Sequence, residues 1–121
     1  MTSQIRPPKS IGKSAETATL ARIRQRVEVP ENHLSAYCQR NHIKSLALFG
    51  SVLRDDFRPD SDIDVLVEFQ TGYTPGFLKL ASMESELSSV FGNRKVDLRT
   101  PQDLSRYFRE RVLREAVVIC R

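Results

Sequence analysis

Apolar and polar positions alternate with period two over residues 62–69. Ile63, Val65, Val67 and Phe69 interleave with Asp62, Asp64, Leu66 and Glu68. This predicts a strand over Ile63–Phe69 with the first set of side chains in the core and two carboxylates, Asp62 and Asp64, at the start of the opposite face. Ile43 to Phe49 is largely apolar on both faces, Leu46 and Leu48 on one, Ser45, Ala47 and Phe49 on the other. Such a strand belongs in the middle of a sheet, covered at least partly on both sides. Lys95 to Arg99 gives a third strand, with Val96 and Leu98 opposite Lys95, Asp97 and Arg99.

Helical spacing fills the intervals. Leu20, Ile23 and Val27 mark a narrow stripe on a helix that Ser14 could cap. Pro30 suits the first turn of the next helix, whose face is Leu34, Tyr37 and Cys38 and which ends at Asn41 and His42. Thr74-Pro75 reads as an N-cap with proline at the first helical position. The helix from Pro75 to about Phe91 then buries Phe77, Leu80, Ala81 or Met83, Leu87 and Val90, and Gly92 stops it. Thr100-Pro-Gln-Asp103 repeats the start signal for a last helix using Leu104, Tyr107, Phe108 and Val112 or Leu113. Residues 116–119 either continue that helix or form a short edge strand.

The fold class is therefore α/β (α+β), a small mixed sheet flanked by helices. The 121 residues suit one domain, assigned to residues 30–121, with 1–29 as a basic extension, partly disordered or helical. The formal charge of +4 resides in that extension, which holds six basic and two acidic groups, whereas residues 30–121 hold thirteen of each. A neutral domain lacks the basic excess of a nucleic-acid binder. No apolar run is long enough to cross a bilayer and no secretory h-region is present. Cys38 and Cys120 have no metal-type spacing and read as reduced structural thiols in a cytoplasmic protein. His33 and His42 share no ligand spacing and read as surface or helix-end residues. Arg106, Arg109, Arg111 and Arg114 read as a solvated face with local Arg–Glu pairs, in preference to a docking surface for an acidic partner.

Chemistry concentrates between the first two strands. Asp62 and Asp64, two apart on a strand, emerge on one face with α-carbons roughly 6.5 Å apart. That spacing suits a shared divalent ion flanked by a second, since paired metals stand about 3.5–4 Å apart, and magnesium accepts few carboxylates beside phosphates. Asp97 is the natural third carboxylate, able to point to the same face and to take a proton from an attacking hydroxyl. Gly50 lets backbone approach a phosphate, and Ser51 could begin a helical turn whose N–H groups favour a triphosphate tail. Arg54, one turn on, either adds a charged donor to the nucleotide or pairs with Asp55, Asp56 or Asp60.

Gly50-Ser51, ten residues, then Asp62-Ile63-Asp64 resembles the signature of DNA-polymerase-beta-type nucleotidyltransferases. The wording Leu48-Phe-Gly-Ser-Val-Leu-Arg54-Asp-Asp-Phe57 with Ser61-Asp-Ile-Asp-Val-Leu-Val-Glu-Phe69 is similar to the minimal nucleotidyltransferase branch, from about Leu34 to the C-terminus but not over residues 1–29. The resemblance implies a polymerase-beta-like fold, two Mg2+ ions held by Asp62, Asp64 and Asp97, and phosphates, usually of ATP, held by Gly50 and Ser51. All three acidic positions are intact. It further implies the antitoxin of a type VII toxin–antitoxin system, which transfers AMP to a tyrosine of a HEPN-domain toxin. Two rival readings are an antitoxin that neutralises its partner by binding alone and an adenylyltransferase acting on a small molecule.

Overall fold

The computed structural model describes residues 19–121. Its strands are β1 (Ile43–Phe49), β2 (Ile63–Phe69), β3 (Val96–Arg99) and β4 (Val117–Cys120). They form one mixed sheet in the order β3-β2-β1-β4. β1 runs antiparallel to both β2 and β4, and β2 runs parallel to β3. Helix α1 covers residues 19–26, and α2 (Glu31–Arg40), α3 (Phe77–Val90) and α4 (Arg106–Glu115) follow. The helix start expected at Ser14 lies outside the described residues.

Both expected long strands match to the residue, and β1 is central because both of its faces are apolar. Leu46, Leu48, Ile63, Val65, Val67 and Val96 form one side of the main core, closed by Ile23, Leu34, Tyr37, Met83 and Leu87. Ile43 joins that layer although strict alternation would set it with Ser45 and Ala47. A bulge between Ile43 and Ser45 reverses the phase. The other face carries a smaller cluster of Ala47, Phe49, Leu66, Leu104 and Val112, so α4 covers only part of it. Residues 117–120 are a strand, which settles the open choice at the C-terminus. Val117 is buried in the main core, and Ala116 and Val118 pack on the smaller cluster.

Three expectations are corrected. First, α3 begins at Phe77 with Gly76 as its cap, not at Pro75 with Thr74. Tyr73 stacks on His42, ring centroids 3.8 Å apart, which holds the preceding loop and delays the first helical bond to Leu80 N–H on Gly76 O. Phe77, expected in the core, is 80% exposed, while Met83 and Leu87 are buried. Second, Thr100 and Asp103 do form a reciprocal capping box, but on a single 3-10 turn, Pro101–Asp103. The helix proper starts at Arg106 behind its own Ser105 cap, and its phase exposes Tyr107, Phe108 and Leu113 and buries Val112. Third, Cys38 and Cys120 are not free thiols but a disulfide. At a sequence separation of 82, spacing gave no signal; α2 lies on β4 and brings them together.

Candidate active site

Strand ends position the carboxylates. β2 and β3 run parallel with Asp64 opposite Asp97, so the two side chains share the face on which α4 lies. Asp62 stands one step before β2, and its side chain is about half exposed, with Lys95 Nζ 3.9 Å away. The strands are held from outside. Leu98 N–H, on the edge of the sheet, donates to Glu84 Oε2 at 2.8 Å, which ties β3 to α3. Arg94 donates to Arg58 O at 3.0 Å and Ser61 O at 2.8 Å and lies 4.7 Å over the Phe57 ring, fixing the loop that leads to Asp62.

The turn after β1 completes the site. Phe49 pairs with Asp64 across the ladder, and Gly50 turns the chain with φ of 75°. A β-carbon at Gly50 would lie 2.2 Å from Asp64 Oδ2, so only glycine fits. The Ser51 N–H lies towards the Asp64 carboxylate and favours its ionised form, and the Ser51 hydroxyl donates to Asp62 O at 3.4 Å. The helical piece that follows, Gly50–Leu53, is one 3-10 turn of four residues. A turn this short has no long helix dipole to offer an anion, only close backbone approach and the serine hydroxyl. From α1, Arg26 donates to Val52 O at 2.7 Å and pairs with Asp55 at 3.0 Å, so the extension braces the turn.

Electrostatics mark Asp64. Burial, then the Asp97 charge and more weakly that of Asp62, push its carboxyl above the ordinary carboxylate range, opposed by the Ser51 N–H and by Arg99. Arg99 forks onto Asp97, Nε to Oδ1 at 3.1 Å and Nη2 to Oδ2 at 3.2 Å, and this pairing raises the Arg99 pKa further.

Among the described residues, no three side chains already form a closed metal-ligand group. Asp97 is turned to Arg99 and Asp62 has Lys95 near it. The donor chemistry still fits a hard divalent cation: three carboxylates on or just before neighbouring strands, Asp64 half-buried against the charge of the others.

The structure thus brings Gly50, Ser51, Asp62, Asp64 and Asp97 into one place. Arg54 is exposed, and among the described residues its side chain makes no hydrogen bond or ion pair, so Asp55, Asp56 and Asp60 are not its partners. Sequence reasoning missed Arg99, although its position two after Asp97 on a strand puts it on the same face. It also missed a cavity of about 260 Å³ whose lining includes Asp64, Asp97, Arg99, Leu104, Ser105 and Phe108. A larger hollow of about 540 Å³, between Val67, Thr74 and Pro101, is lined by none of Asp62, Asp64 and Asp97.

Known proteins resemble this chain in sequence and fold. The model of a family described as a nucleotidyltransferase domain matches residues 31–119. The protein adenylyltransferase MntA of Thermococcus cleftensis is 33% identical over 87 residues, 72% of this chain and 85% of that protein. A solved structure provisionally designated a minimal nucleotidyltransferase is 36% identical with a TM-score of 0.59, covering 72% of this chain and 86% of its own. A toxin–antitoxin crystal structure with AMP-PNP shares the fold, with a TM-score of 0.60 at 22% identity over 74% of this chain and 72% of that one. Among the described residues no helix is long and apolar enough to cross a membrane.

Proposed function

The chain belongs to the nucleotidyltransferase domain family, and on that premise we propose that it transfers AMP from ATP to a tyrosine of a HEPN-domain toxin, as the antitoxin of the pair. The observation that carries the reading is the register of Asp64 with Asp97 beside the Gly50–Ser51 turn. The name of the Thermococcus cleftensis relative, a protein adenylyltransferase, supports protein as the acceptor.

Each residue has a role in that chemistry. Gly50 and the Ser51 hydroxyl receive the β- and γ-phosphates at the tight turn. Asp62, Asp64 and Asp97 are the residues that would hold magnesium. Bound there, it supplies positive charge to the phosphates during displacement. Asp97 also stands where it can take the proton of the acceptor hydroxyl. A bond forms between that oxygen and the α-phosphorus, the bond to the β-phosphate oxygen breaks, and pyrophosphate leaves. Arg99 must release Asp97 for this to occur, since its fork occupies both carboxylate oxygens.

The test is the Asp62→Asn, Asp64→Asn double variant incubated with α-labelled ATP, magnesium and the toxin partner. Wild type should label the partner and the variant should not. Labelling by the variant would sink the assignment. A variant that fails to label yet still neutralises the toxin at stoichiometric excess would favour inhibition by binding alone.

A further inference from the structure

The position of the 260 Å³ cavity relative to the carboxylates has a mechanistic meaning. In phosphoryl and nucleotidyl displacements the entering and leaving oxygens are roughly in line. On the reading above, pyrophosphate departs towards Gly50 and Ser51. The cavity includes Asp64, Asp97 and Arg99 but not Gly50, Ser51 or Asp62. It therefore opens on the side from which an acceptor must enter.

Its lining sets three carboxylates, Asp64, Asp97 and Asp103, with Arg99 and Ser105 against an apolar part made of Phe49, Leu104 and Phe108. Phe49 and Leu104 are buried beneath it, and Phe108 at its rim is 43% exposed. Phe108 is fixed from below, because Val112, one helical turn on, is buried in the smaller cluster, and because Phe108 N–H donates to the Ser105 cap at 3.4 Å. An aromatic ring held half in solvent in the same cavity as Asp64 and Asp97 has no ring or cation partner among the described residues. The volume lies below the roughly 300–1,000 Å³ usual for whole small-molecule ligands, which suits one side chain better than a nucleoside.

We propose that this cavity is the acceptor site and that Phe108 is its specificity wall, seating a phenolic side chain with the hydroxyl towards Asp97. The inference rests on the reading of a protein tyrosine as acceptor and adds where that residue binds and what selects it. Phe108 acts by stacking, and Leu104 and Phe49 supply the apolar floor.

The test uses the full chain with magnesium and α,β-methylene-ATP, and N-acetyl-tyrosinamide as the probe, followed by amide chemical shifts in NMR. The probe should perturb Ser105, Phe108 and Asp97, and N-acetyl-leucinamide at the same concentration should not. Phe108→Ala and Phe108→Leu should weaken the probe by roughly two- to tenfold, the range of one aromatic contact, and leave affinity for the ATP analogue unchanged. Phe108→Trp should retain the probe. Equal probe affinity in wild type, Phe108→Ala and Phe108→Leu would overturn the proposal. So would a selective loss of ATP-analogue affinity, which would make Phe108 a nucleobase contact. Wild type that fails to bind the ATP analogue at all would strike the parent reading first, and the inference with it.

Discussion

Gly50 and Asp64 are fitted to one another: a single β-carbon on Gly50 would stand 2.2 Å from Asp64 Oδ2 and 3.1 Å from its carboxyl carbon. The contact explains two requirements at once. Gly50 must be glycine because φ is 75° and because the space belongs to a carboxylate. Asp64 in turn has the Ser51 N–H towards its carboxylate, which favours the ionised form against burial. The Gly50–Ser51 turn and Asp64 therefore depend on each other's position.

Gly50→Ala should therefore damage activity far more than stability. The left-handed backbone costs an alanine about 1–2 kcal/mol. Displacing Asp64 by the order of 1 Å costs roughly 10²-fold in rate by misplacement alone. Circular dichroism should show a folded protein with a modestly lower melting midpoint, while AMP transfer falls by about two orders of magnitude. A variant with near-normal turnover would show that the Asp64 position is not critical.

Arg99 and Asp97 make the opposite arrangement, a site residue held by a competitor. Both side chains are more than a third exposed, so the fork adds little to stability. Arg99→Gln should leave the melting midpoint unchanged within error without magnesium. It should lower the magnesium concentration for half-maximal thermal stabilisation by roughly two- to fivefold, the worth of an exposed ion pair. A higher magnesium requirement would show instead that Arg99 organises the site.

The central sheet was legible because burial leaves a period-two trace, as in Ile63, Val65 and Val67. The carboxylates were legible because two residues on one strand must share a face, and because Asp97 stands in a strand of the same alternation. What sequence could not give depended on phase and on long-range meetings. Nothing local distinguishes Thr74 from Gly76 as the cap, and that two-residue shift moves Phe77 from core to solvent. The Cys38–Cys120 bond and the bracing of the Val52 carbonyl by Arg26 each join segments that no spacing rule connects.

That phase correction has a direct consequence in α3. Leu87 is fully buried and Phe77 is 80% exposed, although the apolar pattern treats them alike. Leu87→Ala should cost about 2–5 kcal/mol in chemical denaturation, through lost burial and a cavity. Phe77→Ala should fall within about 0.5 kcal/mol of wild type. Equal losses would mean that the first turn of α3 packs against the rest of the protein.

The raised Asp64 pKa gives the last prediction, and its sign is opposite to that of most carboxylates. Burial and the Asp97 charge disfavour ionised Asp64 in the folded state more than in the unfolded chain. The unfolded chain thus releases this proton more readily. Its contribution to stability is fully present below the unfolded carboxylate range and is lost as pH rises through the higher folded value. Asp64→Asn removes the ionisation. It should raise the melting midpoint at pH 7 in magnesium-free buffer, and the gain should vanish as pH falls below the ordinary carboxylate range, where both proteins are neutral at this position. Magnesium should then stabilise wild type more than the variant at pH 7. Melting curves of both proteins across pH, each with and without magnesium, give the three comparisons. A variant less stable than wild type at pH 7 without magnesium would mean that the Ser51 N–H and Arg99 outweigh burial, and that Asp64 is an anchor for the turn rather than a strained carboxylate.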